Sequence, residues 1–409
     1  MSSSRWALSG RWGVDDARCG ELLTLVVDRA SGRVEEVLSG LGSSANAGDL
    51  CEQRHGGETS ILAPGYVDLH VHGAAGFDFA DGSDEAFSVI CRHHARFGTT
   101  ALCATILASS PEATLRAIEV GRQKLGLVGR GARVVGLHLE GPFLAPERAG
   151  AQPPEHLRAP DPLLLEELLA AAAGGISLMT LAPELPGALP LVERLVDAGV
   201  VVSMGHSSAT YEQACAGIAA GCRLGTHAFN AMRGLHHREP GLAGALLTRD
   251  ELVAEVIADG QHVAAPVLEI LWRLKGQRSE PGAADVGHGK LALITDCTAA
   301  LDAPAGGARL GNTSVQVNDG AVRLPDGTLA GSALTMERAV SGLATMTSAS
   351  WEAARGAASR TPAALIDAPL GGAEVGAVAD LVLYDGEGAL EQVFIGGAPQ
   401  LAAREEEKR

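Results

Sequence analysis

Positive charge is short in this chain: 32 Lys and Arg stand against 49 Asp and Glu, a net charge of −17. A surface so acidic repels polyphosphate backbones and anionic headgroups over long range, which excludes nucleic acid and membrane surfaces as partners. Aromatic residues are also scarce, at 3%. No apolar run approaches the roughly 18 residues of a membrane span, and residues 1–13 hold no apolar core of signal-peptide length. A cytoplasmic protein is therefore expected. The seven cysteines are odd in number; Cys215 and Cys222 are too far apart for a Cys-x-x-Cys pair, and none neighbours a histidine at zinc-finger spacing. That argues for free interior thiols rather than a disulfide framework or a cysteine-ligated metal.

What is present points to a large α/β protein. The 409 residues are 46% apolar and 20% charged, and 52 Gly with 19 Pro imply many turns rather than a repeat array. Short strand-like runs at 22–27, 34–37 and 61–63 come first. From residue 65 onward, eight apolar runs, at 66–70, 99–106, 134–140, 176–181, 200–205, 224–227, 252–258 and 291–295, alternate with helix-like segments at 84–97, 111–125, 162–172, 191–198, 209–220 and 266–274. Pro opens several of these segments at a tolerated first-turn position. Eight such alternations predict a (β/α)8 TIM-type barrel. Asn318, Asp319 and Gly320, followed by Pro325, Asp326 and Gly327, mark hairpin turns inserted near 310–330. A helical stretch at 333–358 follows, and strand pattern returns at 380–384 and 392–395. The expected organisation is a barrel over 64–364 and a small composite β-sandwich domain from residues 1–63 and 365–409.

Metal-type ligands sit where these runs end, the place where parallel-barrel enzymes gather catalytic groups. Side chains alternate along a strand, so in Asp68-Leu69-His70-Val71-His72 both histidines face one way and can reach one ion. A pair of packed barrel histidines would read the same; the Gly-rich turn that follows favours ligands. Glu140 closes its run and is followed by Gly141-Pro142, which puts a carboxylate at a strand mouth; His138, deeper on the same face, belongs to the interior. His206 and His227 end the next two relevant runs, and Ser207 and Ser208 are N-cap types for a helix starting near Ala209. Neutral imidazoles joined by a carboxylate suit Zn²⁺, the expected ion, or Fe²⁺. Asp296, at the end of the eighth run, is placed to act as general acid and base beside an acidified water; a turn cap is its bland alternative. His262 and Arg238 would add donors suited to an anionic substrate.

The chain resembles the N-acetylglucosamine-6-phosphate deacetylase family of the amidohydrolase superfamily. The resemblance runs from about Ala63 to the C-terminus, through Pro64-Gly65-Tyr66-Val67-Asp68-Leu69-His70-Val71-His72-Gly73, His138-Leu139-Glu140-Gly141-Pro142-Phe143, Gly205-His206-Ser207-Ser208, Thr226-His227-Ala228-Phe229-Asn230-Ala231-Met232, Arg238-Glu239-Pro240-Gly241, Asp259-Gly260-Gln261-His262 and Gly331-Ser332-Ala333-Leu334-Thr335-Met336. It implies a deformed barrel with a β domain built from both chain ends, and a homodimer. Glu140, His206 and His227 match the principal metal ligands; His70 and His72 match a second site kept by only some members, so one or two ions per subunit are implied. Asp296 matches the acid and base, Asn230, Ala231 and His262 match substrate contacts, and Arg238 matches a phosphate-binding arginine given to the neighbouring subunit's site. Gln152 stands where the family commonly has a sugar-contacting histidine, which makes it a substrate-binding candidate; it can donate and accept hydrogen bonds there but cannot become charged, so sugar selectivity turns on it. Cys297 follows the aspartate where smaller residues are usual. The implied reaction is deacetylation of an amino-sugar 6-phosphate, with N-acetylglucosamine 6-phosphate the first substrate and the galactosamine epimer the alternative. Cyclic-amide hydrolases that need a bridging lysine are disfavoured, since 134–142 holds none. A non-catalytic sugar-phosphate-binding barrel is the reading from a different class.

Overall fold

The structure, a computed structural model, describes residues 5–14, 16–41, 53–127, 129–276, 289–311, 313–318 and 321–400. Its centre is one sheet of eight parallel strands in sequential order: Tyr66–Val71, Thr99–Leu107, Arg133–Glu140, Ile176–Leu181, Val201–Met204, Leu224–Gly225, Val253–Val256 and Leu291–Leu293. These are the eight runs read from the sequence. Their residues are buried almost without exception, which is why they read as continuous apolar runs rather than alternating ones. The sheet comes round on itself where the loop after the eighth strand meets the first: Val71 bridges Cys297 in parallel, and the Asp296 N–H donates to the His70 carbonyl at 2.8 Å. The barrel is nearly closed, with its ligand-bearing ends on one rim.

Helices Asp84–Ala95, Pro111–Lys124, Pro162–Ala172, Ala188–Asp197, Tyr211–Ala220, Gly241–Thr248 and Ala265–Lys275 follow strands of the barrel. The expected 209–220 helix starts two residues later. Thr210 and Gln213 form a reciprocal capping box there, while Ser207 and Ser208 are bound instead to Glu184. The expected 333–358 helix is two helices, Met336–Met346 and Trp351–Ala358. Thr347 turns its hydroxyl back onto the Leu343 carbonyl and Ser350 caps the second helix, so the intervening Thr-Ser-Ala-Ser stretch ends one helix and begins another. Helix Gly241–Thr248 was not foreseen: residues 241–247 are all buried, and a helix apolar all round shows no amphipathic period.

The chain ends form a separate seven-stranded sheet, in the order Ala398–Gln400, Leu390–Ile395, Leu381–Tyr384, Gln53–Pro64, Arg5–Trp12, Leu22–Asp28, Arg33–Ser39. Leu381 pairs with Pro64 and Tyr384 with Ile61, antiparallel, so the two ends do meet. The first strand, Arg5–Trp12, lies between two neighbours but escaped the sequence reading because Ser9, Gly10 and Arg11 interrupt its apolar run. Gly65 alone separates this sheet from the barrel, and a Cβ there would meet the Thr100 side chain at 2.1 Å. The inserted segment is built from Gln316–Asn318, Ala321–Arg323 and Leu329–Ser332, paired antiparallel in sequence. Of the two turns read there, Gly327 takes φ +91° and the Asp326 carboxylate accepts from the Thr328 N–H; residues 319 and 320 lie outside the described residues.

Candidate metal centre and active site

Five strand ends deliver one compact cluster. Glu140 is the last residue of the third strand, and its two carboxylate oxygens face different histidines. Oε1 lies 3.0 Å from His206 Nε2, 3.3 Å from His227 Nε2 and 3.5 Å from His70 Nε2; Oε2 lies 3.3 Å from His72 Nε2. The paired imidazole nitrogens stand 3.1 Å apart in His206–His227 and 3.2 Å apart in His70–His72. Two overlapping donor groups result, His70–His72–Glu140 and Glu140–His206–His227, sharing the carboxylate. Asp296 Oδ1 lies 3.4 Å from His72 Nε2 and 3.5 Å from His70 Nε2. His138 is held between the Thr105 and Thr180 hydroxyls, behind the cluster, as read from the sequence.

The donor set fits a divalent cation. His206 Nδ1–H donates to the Arg148 carbonyl at 2.9 Å, which leaves the Nε2 lone pair aimed at a carboxylate oxygen. Two acceptors at 3.0 Å repel unless positive charge lies between them. Tetrahedral ligands bound at about 2.0–2.1 Å stand roughly 3.3 Å apart, close to the spacings above. Protonation tells the same story. Burial works to raise the Glu140 carboxyl, but opposing charge, that of His70 foremost, outweighs it and holds it well below its ordinary range. Burial works against protonated His70 and His72, yet Glu140 and Asp296 overcome it: His70 rises well above its usual value, and His72 to about 9. Asp296 is likewise drawn below its ordinary value, against burial, by His70 and His72. The cluster recruits positive charge.

The backbone is shaped for this task. His206, His227 and Asp296 take φ of +47°, +31° and +49°, left-handed conformations that cost a non-glycine residue energy and gather at functional sites. Glu255, fully buried on the seventh strand, places Oε2 3.5 Å from His70 Nδ1. It backs that histidine as carboxylates commonly back metal-binding imidazoles, a role its mid-strand position did not announce.

A cavity of about 380 Å³ opens over the cluster, lined by His72, Glu140, Gln152, His206, His227 and Asp296 below and by Asn230, Ala231, His262 and the hairpin residues Arg323, Thr328 and Leu329 above. His262 is oriented by Asp259, whose carboxylate lies 2.7 Å from its Nδ1. Asn230 turns its amide NH₂ onto the His227 and Ala228 carbonyls. Gln152 is buried and hydrogen-bonded to Glu140. Cys297 packs in the interior, and the described cysteines are free thiols. Of the residues named from the sequence, Arg238 alone stands apart: it is exposed, outside the cavity, with its guanidinium 2.8 Å from His237 Nε2. The arginine that does line the cavity, Arg323, was not singled out.

Residues 61–403 match the amidohydrolase family. An N-acetylglucosamine-6-phosphate deacetylase of Lysinibacillus sphaericus is 37% identical over 296 residues, 72% of this chain and 74% of that one. An N-acetylgalactosamine-6-phosphate deacetylase of Escherichia coli O157:H7 is 34% identical over 348 residues, 85% and 89% of the two chains. Among solved structures, an aspartate-to-alanine mutant of N-acetyl-D-glucosamine-6-phosphate deacetylase from Mycobacterium smegmatis, in complex with N-acetyl-D-glucosamine-6-phosphate, superposes with a TM-score of 0.85 at 32% identity, over 98% of this chain and 100% of that one.

Proposed function

The chain belongs to the amidohydrolase family, and from that premise we propose that it hydrolyses the acetamide of N-acetylglucosamine 6-phosphate to glucosamine 6-phosphate and acetate. The observation that carries the reading is the carboxylate-centred histidine cluster with Asp296 beside it on the floor of a cavity of sugar-phosphate size. Glu140, His206 and His227 would hold one divalent ion, and His70, His72 and Glu140 would hold a second. Zn²⁺ suits the donors best and Fe²⁺ also fits. Such an ion supplies polarisation of the acetamide carbonyl and a more acidic water. Asp296, ionised in this setting, accepts the proton of the attacking water and returns it to the departing amine. Asn230, Ala231 and His262 line the wall against which the sugar is oriented.

Arg238, exposed on its loop, is assigned to the phosphate of a neighbouring subunit's substrate in a homodimer. A cytoplasmic location is part of this proposal, since a phosphorylated sugar would be met there; separately, among the described residues no helix is long and apolar enough to cross a membrane. The Escherichia coli relative keeps N-acetylgalactosamine 6-phosphate as the second reading. The test is acetate release from both phosphorylated epimers and from unphosphorylated N-acetylglucosamine by metal-loaded protein, beside Asp296→Asn. Phosphate-dependent release that falls by about 10²–10⁴-fold in the variant at unchanged metal content is expected. No acetate from any of the three sugars overturns the proposal, and preference for the galactosamine epimer moves the substrate to the second reading.

A further inference from the structure

The loop between the third strand and helix Pro162–Ala172 touches the side chains of the metal ligands at two points. At one point the Arg148 carbonyl accepts from His206 Nδ1–H. At the other, Gln152 Nε2 donates to Glu140 Oε2 at 2.5 Å, while Gln152 Oε1 accepts from the Ala108 N–H at 2.9 Å. The Ala108 N–H can only donate, so it fixes which end of the amide is oxygen and turns the NH₂ toward the carboxylate. All three residues are buried, at 5% exposure or less. Both ends of the amide are therefore committed: one to the end of the second barrel strand, the other to the carboxylate that both donor groups share.

We propose that Gln152 is a positioning residue for the metal centre, holding Glu140 Oε2 so that Oε1 faces His206 and His227, and that metal affinity rather than sugar affinity depends on it. The inference rests on the metal reading above. An ionised carboxylate with one oxygen held can no longer swing about its last torsion. The charge-assisted bond thus preorganises the ligand before the ion arrives. A side chain of similar length without a donor leaves the same carboxylate buried and free to rotate. Partners of this kind typically govern metal affinity by 10–100-fold.

The experiment is a competition titration of metal-stripped protein with a chromophoric chelator and Zn²⁺, without substrate, followed by kcat and KM at saturating Zn²⁺. Gln152→Met is expected to lose about 10–100-fold in Zn²⁺ affinity with KM for the sugar phosphate unchanged. Gln152→His, whose Nε2–H can again donate to Glu140, is expected to recover most of that loss. Should Gln152→Met not fold, Gln152→Asn, one methylene short of Glu140, is expected to show the same loss. Unchanged Zn²⁺ affinity in the non-donating variant, whether or not KM rises, overturns the proposal; a raised KM would make Gln152 a sugar ligand instead. Wild-type protein that binds no Zn²⁺ would overturn the metal reading itself, a different result.

Discussion

Among the described residues lining the cavity, Arg323 is the only lysine or arginine, and one of its guanidinium nitrogens is held by the Gly327 carbonyl at 2.8 Å. In a chain carrying −17 net charge, with Glu140 and Asp296 on the cavity floor, an anionic substrate needs such a group at the rim. A charge-assisted hydrogen bond contributes about 1.5–3 kcal/mol. Arg323→Ala is therefore expected to lower kcat/KM for the sugar phosphate by about 10–100-fold, with a much smaller effect on the unphosphorylated sugar. Parallel kinetics on the two sugars decide it: an equal loss on both would show that Arg323 shapes the hairpin and does not meet the phosphate. This residue was illegible in the sequence for a physical reason. Glu140, His206 and Asp296 each close or follow an apolar run, and a polar ligand at a strand end stands out. Arg323 comes from an inserted hairpin, and only the fold of that hairpin over the barrel rim brings it to the site. Arg238 shows the converse, since its motif was plain while its place in this subunit is away from the cavity.

Helix Asp84–Ala95 ties the first barrel loop down through a buried histidine. His94 donates from Nε2 to the Gly73 carbonyl at 3.1 Å, next to His72, and its other ring nitrogen is buried without a partner. Burial is the main cause that pushes its pKa from 6.5 down to about 4, with the Gly73 hydrogen bond opposing. The unfolded chain takes up a proton near pH 6.5 while the native chain does not until about pH 4, so stability contributed by neutral His94 is lost as pH falls through that window. Two and a half units correspond to roughly 3 kcal/mol. His94→Gln keeps a donor for Gly73 and cannot be protonated, so urea unfolding at pH 7.5 and pH 5 is expected to show a smaller acid loss in the variant. An identical loss in both proteins would place the acid sensitivity elsewhere. The helix itself is legible in the sequence as a segment over 84–97, and Asp84 and Glu85 in its first turn and basic residues in its last suit its dipole. Arg5–Trp12, where Ser9, Gly10 and Arg11 interrupt the apolar run, and Gly241–Thr248, a short helix too uniformly apolar to show a helical period, are not legible.

At the scale of the whole molecule, the strand that presents Glu140 is also tied to the terminal sheet. Arg133 begins it and Glu140 ends it. The Arg133 guanidinium grips both oxygens of Asp380, at 2.9 and 3.1 Å, in a nearly buried pair, and Asp380 sits just before the terminal-sheet strand Leu381–Tyr384. The same aspartate accepts from the Gly396 N–H through its side chain and from the Gly65 N–H through its carbonyl. One residue thus binds the barrel, the linker and the C-terminal hairpin. Removing one partner of a buried ion pair costs about 3–5 kcal/mol because the other charge is stranded, whereas replacing both by apolar groups is far milder. Asp380→Asn is therefore expected to be several kcal/mol less stable than wild type in urea unfolding, and the Arg133→Met, Asp380→Leu double variant to be the more stable of the two. Additive losses in the double variant would show that packing, not the stranded guanidinium, sets the cost. If the terminal sheet braces the strand that presents Glu140, Asp380→Asn should also release its metal at a lower urea concentration, in the same transition that unfolds the barrel; metal loss well before unfolding would mean the brace acts on the site alone.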